Sequence, residues 1–295
     1  RAAADFRAAL THPHRLVGLL LPLAAQAEPV IIDKVSGLFP QFQFPEDAAL
    51  LEVYFPKIYG VDAAFVRYGD YSMLIDCGGN QWQETKALLN RLGVTEVTYA
   101  VNSHPDADHI GGFNHVAKEI KLDNFVLGFP ENYPEGDQVR FKVYEDLHNL
   151  GVNFMQVQDG DTIDFGDVKI TVYQRTDEFL PRVNNRSVML MIEYGQRRIF
   201  FTGDIQLYTQ RLLIDQADSL DLKADIVKFP HHGYKKMQDG FLKMVSPELV
   251  IITGGSQDSG GAKQLREQGI KYFFCEKGIL RLATDGNSWT VERLQ

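Results

Sequence analysis

The chain has little cysteine: Cys77 and Cys275 are the only two in 295 residues. Two distant thiols cannot make a disulfide scaffold, and no Cys-x-x-Cys spacing marks a structural zinc site. Two buried, inert thiols are the plain expectation, with a single bridge between them left open. No apolar run approaches the ~20 residues that span a bilayer, so no stable membrane span is expected. No segment is low-complexity and none repeats at a period of about 20–50 residues, which excludes solenoids and propellers. Excess positive charge is also missing, with Lys+Arg at 30, Asp+Glu at 39 and a formal net charge of −9. Bulk charge therefore draws neither nucleic acid nor an anionic membrane to the protein. DNA is disfavoured as a partner on that ground. Bound divalent ions and a local lysine patch can still hold an anionic phosphoester, whether a small molecule or a polymer. Nothing in the composition specifies an oligomeric state.

Residues 1–27 differ from the rest. Arg7, His12, His14 and Arg15 form a basic lead, Leu16 to Ala25 is apolar, and Ala25-Gln26-Ala27 is a small-x-small exit. This is the pattern of a signal peptide cleaved after Ala27. It places the protein outside the cytoplasm, secreted or periplasmic; a lead helix packed on the domain would instead leave it cytoplasmic. Residues 28–49 carry Pro29, Pro40 and Pro45 and read as an extended lead-in. Residues 50–295 show no internal linker and read as one domain.

That domain opens with β-rich runs at 49–55, 62–68 and 71–76, the last two joined by a Gly69-Asp70 turn. A helical pattern at 82–92 stops at Gly93, and strand 97–101 follows. A helix is expected from Gly111 to about Glu119, and another over 138–150. Strand-like runs recur at 124–127, 152–157, 168–173, 187–194 and 198–202. The second half alternates helix 205–216, strand 225–229, helix 238–245, strand 249–253, helix 262–268 and strand 271–274. It closes with a hairpin, 279–283 and 288–292, turned by Asp285-Gly286-Asn287. Strands first, then strand–helix alternation, then strands again predict two mixed sheets face to face with helices outside, an α/β fold built as an αββα sandwich.

Chemistry concentrates in His104-Pro105-Asp106-Ala107-Asp108-His109, directly after a hydrophobic strand. Imidazole nitrogens and carboxylates are ligands for zinc, manganese or iron. A loop at a strand end can turn His104 and Asp106 toward one ion, and Asp108 and His109 toward a second. An acidic, solvated turn rarely combines two histidines and two aspartates in six residues. The sequence here resembles the metallo-β-lactamase superfamily, whose signature is His-x-His-x-Asp-His after a strand. The likeness extends to Met73-Leu74-Ile75-Asp76-Cys77-Gly78-Gly79, to Ile199-Phe200-Phe201-Thr202-Gly203-Asp204, and to Val227-Lys228-Phe229-Pro230-His231-His232-Gly233. Asp106 stands where the second histidine is usual. That form is typical of the hydrolase domain of ComEC-like competence proteins and their free-standing relatives.

The resemblance implies a four-layered metallo-β-lactamase sandwich holding two divalent ions, Zn²⁺ or Mn²⁺. It makes His104, Asp106, Asp108, His109, Asp204 and His232 the ligands, with Asp204 bridging. Asp108 would also orient the attacking hydroxide, and His231 would serve as a proton donor. Two departures narrow it. No histidine lies between His148 and His231, so Asn184-Asn185-Arg186-Ser187 falls where a further ligand is usual. The first ion then has more oxygen and fewer nitrogen ligands, and manganese should be better tolerated. The Tyr59-Gly60-Val61-Asp62 and His232-Gly233-Tyr234 segments also depart from the branch, so substrate-side walls should differ. Arg186, Tyr234, Lys235 and Lys236 adjoin ligands in sequence and are candidates for gripping an anion. The segment Pro130–Gly136, with Tyr133, is a candidate lid. The expected activity is phosphodiester or phosphoester hydrolysis by metal-activated water. Hydrolysis of a lactone, thioester or β-lactam in the same fold, and a non-catalytic metal-binding module, are the alternatives.

Overall fold

The computed structural model describes residues 29–295, so the signal-peptide reading of residues 1–27 lies outside the described residues. The described strands, in chain order, are β1 (Ile31–Asp33), β2 (Leu51–Phe55), β3 (Ala63–Tyr68), β4 (Tyr71–Cys77), β5 (Glu96–Asn102), β6 (Lys121–Leu127), β7 (Asn153–Gln156), β8 (Thr162–Ile163), β9 (Lys169–Tyr173), β10 (Met189–Tyr194), β11 (Arg197–Phe201), β12 (Ile226–Lys228), β13 (Leu249–Ile252), β14 (Lys271–Phe274), β15 (Leu280–Thr284) and β16 (Trp289–Arg293). The helices are α1 (Trp82–Arg91), α2 (Ala107–Ile110), α3 (Phe113–Val116), α4 (Val139–Asn149), α5 (Leu207–Ile214), α6 (Asp239–Val245) and α7 (Gly260–Glu267). One sheet runs β1-β16-β15-β2-β3-β4-β5-β6-β7 and the other β14-β13-β12-β11-β10-β9-β8. Both are mixed: β4 pairs parallel with β5, and β11 with β12, while the hairpin partners are antiparallel.

Period-two alternation divides each strand between two cores. Val53 and Phe55 of β2, with Leu249 and Ile251 of β13, fill the space between the sheets. Tyr54 points the other way, into a layer with Leu88 of α1, Phe113 of α3 and Leu147 of α4. Val250 and Ile252 pack outward with Phe241 of α6 and Leu265 of α7. Strands buried on both faces, such as β13, read as continuous apolar runs for this reason. The sandwich expected from the sequence is therefore the one observed.

Two details differ from the sequence expectation, whereas the cysteines match it. The lead-in supplies an edge strand, β1, paired parallel with β16. No helix runs from Gly111 to Glu119; α2 begins earlier, at Ala107, and a break at Gly111-Gly112 separates it from α3. A Cβ on Gly112 would collide with the Cys77 carbonyl, so the chain needs glycine where this loop crosses β4. The two cysteines are buried and unbridged.

The register brings the loops that follow the parallel strands to one edge of the sandwich. Ile75 of β4 is level with Val101 of β5, and Phe201 of β11 with Lys228 of β12 and Ile251 of β13. Asp76, the 104–109 loop, Asp204, the His231-His232 pair and Thr253 follow those levels directly. Carboxyl ends of parallel strands are the usual place for a site in open α/β sheets.

Candidate metal centre

His109 lies at the centre of the cluster. Its side chain is fully buried, and its Nδ1 lies 2.7 Å from Asp76 Oδ2. Asp76 is the last inward carboxylate of β4 and takes a left-handed φ of 54°. Ser103 donates to it through both the backbone amide (2.8 Å) and Oγ (2.6 Å). Held from behind in this way, the ring presents Nε2 forward, 3.3 Å from Asp204 Oδ2. That Nε2 is buried and makes no hydrogen bond. His232 Nε2 lies 3.2 Å from the same Asp204 oxygen and 3.1 Å from Asp108 Oδ2. His109, Asp204 and His232 thus turn three ligand atoms toward one point, and Asp108 adjoins them through His232 Nε2.

Behind His232 is a carboxylate that the sequence reading named only as part of a departure. Asp62 Oδ1 lies 3.1 Å from His232 Nδ1, and Thr253 Oγ1 donates to the same oxygen. Asp62, His109, Asp204 and His232 each offer a ligand atom within 4.8 Å of the others. Asp62 nevertheless faces the Nδ1 sides of both rings, 3.8 Å from His109 and 3.1 Å from His232. It therefore orients the imidazoles, whereas Asp108 meets His232 on its Nε2 side. Fixing one ring nitrogen so that the other can bind is the usual task of such a partner.

A second group adjoins the first. His104 is buried with its ring 4.1 Å from that of His109. Its Nε2 lies 3.4 Å from Asp106 Oδ2. Asn184 reaches both, with Nδ2 3.4 Å from His104 Nε2 and 3.2 Å from Asp106 Oδ2. The amide thus occupies the place that the sequence leaves without a histidine.

The electrostatics fit a cation. Asp62, Asp76 and Asp204 are buried carboxylates, and Lys228 is the buried ammonium beside them. Burial opposes ionisation of Asp204, but His232, His109 and Lys228 outweigh it and hold the carboxyl well below the usual range. Burial likewise opposes protonation of His109, yet Asp204 and Asp76 push its imidazole well above the ordinary value. The same contest, with Asp204 and Asp62, raises His232. Carboxylates that pull protons onto two facing imidazoles suit a divalent ion equally well, and the orphaned His109 Nε2 is a free nitrogen donor at that point.

His231 turns elsewhere. Its Nε2 is 4.0 Å from Asp204 Oδ2 and its side chain is 33 % exposed. Burial lowers its pKa. Gln206 Nε2 is 3.2 Å from its Nδ1, and the ring lines a pocket of about 520 Å³ with Tyr208, Lys235 and Lys236. His231 and His232 both have positive φ, 50° and 57°. Consecutive left-handed non-glycine residues are costly, and here they point the two adjacent rings in different directions. Tyr234 packs edge-on to His232 with ring centroids 5.6 Å apart, and its side chain is exposed at the mouth.

Arg186 does not face the mouth. Its guanidinium donates to Tyr133 Oη and to Glu135 at 3.0 Å, and to the Glu178 carbonyl at 3.1 Å. Those bonds tie two loops together and occupy the group proposed to grip substrate. The Pro130–Gly136 segment is pinned as well, because Arg140 donates to the carbonyls of Tyr133, Gly136 and Asp137. Gly136 packs on Pro105, and Asp137 accepts from the Ala107 amide at 2.7 Å. The segment is a wall of the His104–His109 loop, fixed by hydrogen bonds.

The profile of the metallo-beta-lactamase superfamily matches residues 57–253, which takes in every group just described. The chain belongs to that superfamily. It is 26% identical over 289 residues to the competence protein ComA of Neisseria gonorrhoeae, covering 94% of this chain and 38% of that protein. It is 25% identical over 204 residues to ComE operon protein 3 of Bacillus subtilis (strain 168), covering 63% of this chain and 26% of that protein. The chain therefore spans well under half the length of these relatives. Among solved structures, the metallo-beta-lactamase fold protein YhfI from Bacillus subtilis superposes with a TM-score of 0.53 at 14% identity, over 79% of this chain and 99% of that one. CmlA, a diiron beta-hydroxylase from Streptomyces venezuelae, superposes with a TM-score of 0.51 at 12% identity, over 82% of this chain and 55% of that one. At these identities the superpositions show the shared fold. Among the described residues, no helix is long and apolar enough to cross a membrane.

Proposed function

We propose that the chain is a phosphoester hydrolase working with two divalent ions, zinc or manganese. Asp108, His109, Asp204 and His232 would hold one. His104, Asp106 and Asp204, with the Asn184 amide beside them, would hold the other. The observation that carries the reading is the buried, unpartnered His109 Nε2 facing Asp204 Oδ2, with His232 Nε2 beside the same oxygen and Asp108 next to His232. When bound, the ions supply Lewis-acid polarisation of the phosphoryl group and a lowered pKa for water.

The chain's own residues account for the remaining steps. Asp108 is the most exposed carboxylate of the ligand group, 40 % open, and orients the attacking water at the mouth. His231 stands beside Asp204 without joining the cluster, placed to pass a proton to the leaving oxygen. Gln206 holds its ring from behind. Lys235 and Lys236 border the pocket that receives the rest of an anionic substrate, and Tyr234 packs edge-on to His231 and His232. An amide in place of a third imidazole favours oxygen-preferring ions at the His104 pocket. The relatives bear the names of competence proteins, not of β-lactamases, which supports phosphoester over β-lactam chemistry. Metal-loaded protein should hydrolyse bis-p-nitrophenyl phosphate and lose that activity with EDTA. Turnover of nitrocefin without any turnover of the phosphodiester would sink the proposal.

A further inference from the structure

Lys228 is the last residue of β12 and is 3 % exposed. A lysine ammonium is rarely buried without partners. This one forms an ion pair with Asp62 Oδ2, donates to the Gly203 carbonyl at 3.0 Å, and lies 3.4 Å from Asp204 Oδ1. The two carboxylates are thereby divided. Asp62 keeps Oδ1 for His232 Nδ1 and gives Oδ2 to the lysine. Asp204 gives Oδ1 to the lysine, while Oδ2 faces the Nε2 atoms of His109 and His232. The lysine thus sits on the side of Asp204 opposite the cluster.

We infer that Lys228 is a built-in counter-charge: it keeps the acidic site folded without metal and, by engaging Asp204 Oδ1, restricts that carboxylate to one oxygen and holds divalent-ion affinity down. Without metal, three buried carboxylates repel one another, and beside the His109 and His232 imidazoles the fixed ammonium of Lys228 relieves part of that. The same positive charge repels an incoming dication. It also stops Asp204 from chelating through both oxygens. Lys228 is therefore a positioning residue that sets how strongly metal occupancy and folding are coupled. The inference rests on the site being a metal centre.

The test compares the wild-type chain, Lys228→Met and Lys228→Gln. Thermal melting is followed with EDTA and with MnCl₂ or ZnCl₂, and ion affinity is measured by competition with a chromophoric chelator. Both variants should melt lower than wild type in EDTA. Both should gain more than wild type on adding metal, with Kd about tenfold lower. Variants that fold only when metal is present give the same answer in its extreme form. A lysine with a merely structural role would lower melting equally with and without metal. Equal metal-dependent gains, unchanged or weaker affinity, or variants that fail to fold even with metal would each overturn the inference. If wild type binds no ion, the metal-centre reading fails and the inference falls with it. If wild type binds ions and the variants bind them identically, only the inference fails.

Discussion

Replacing Asp108 with Asn separates catalysis from folding at this site. The change keeps the side chain's shape and removes its charge. Asp108 Oδ2 contacts His232 Nε2 at 3.1 Å, and the side chain is 40 % exposed. Its structural duty is carried by the backbone carbonyl, which accepts from the Asp62 amide at 3.2 Å and is untouched by the substitution. In metal-free protein the Asn side chain can still hydrogen-bond His232, so the change should stay within about 1 kcal/mol. For a domain of this size that is roughly 2–4 °C in melting temperature. The charge proposed to orient water and to face the ions is lost entirely. Removing one such preorganised group typically costs about 10²–10³ in kcat, or roughly 3–4 kcal/mol of barrier. The assay is steady-state hydrolysis of bis-p-nitrophenyl phosphate across a metal titration, with a circular-dichroism melt on the same samples. Full turnover by Asp108→Asn at saturating metal would refute the assignment. Lost turnover accompanied by a large drop in melting temperature would also refute it, because the residue would then be holding the fold.

Other outcomes follow from neighbouring contacts. His232→Gln should lose bound metal, whereas His231→Gln should keep it and lose turnover; elemental analysis beside the activity assay distinguishes them, and equal metal loss in both would contradict the geometry. Arg186→Ala should destabilise the fold by about 1–3 kcal/mol through the lost packing of a buried side chain and the lost ties between two loops, without a selective rise in KM for anionic substrates, read from a denaturant melt and a Michaelis curve. Burial would raise the Glu52 carboxyl, but hydrogen bonds from Arg67, Tyr54 and Arg281 outweigh it and hold the pKa below its usual value. Glu52 therefore adds stability above its unfolded pKa of about 4.3 and loses it as pH falls through the lower folded value. Metal-free Glu52→Gln should show a smaller acid-side loss of melting temperature than metal-free wild type.

The sequence by itself determined what depends on neighbours along the chain. Alternating and continuous apolar runs decided the strands and their layers, because a residue's face follows from its parity within a strand. The 104–109 loop was legible as a ligand group because its residues are contiguous and need only a strand end to converge. Asp204 and the His231-His232 pair were legible because they too follow strands in recognisable order. The tertiary structure decided which of the adjacent histidines turns inward, since two left-handed residues in succession set the ring directions and residue type does not. It also assembled the supports. Asp62 meets His232 across 170 residues and Lys228 meets Asp204 across 24, and neither contact leaves a local pattern to read. Arg186 shows the converse case. Its position beside Asn184 marked it as substrate-facing, and only packing revealed that its two terminal guanidinium nitrogens are turned toward Tyr133, Glu135 and the 177–178 backbone. Sequence order marked which groups could bind an ion; the depth at which parallel strands end, and the cost of burying charge there, decided how they are held.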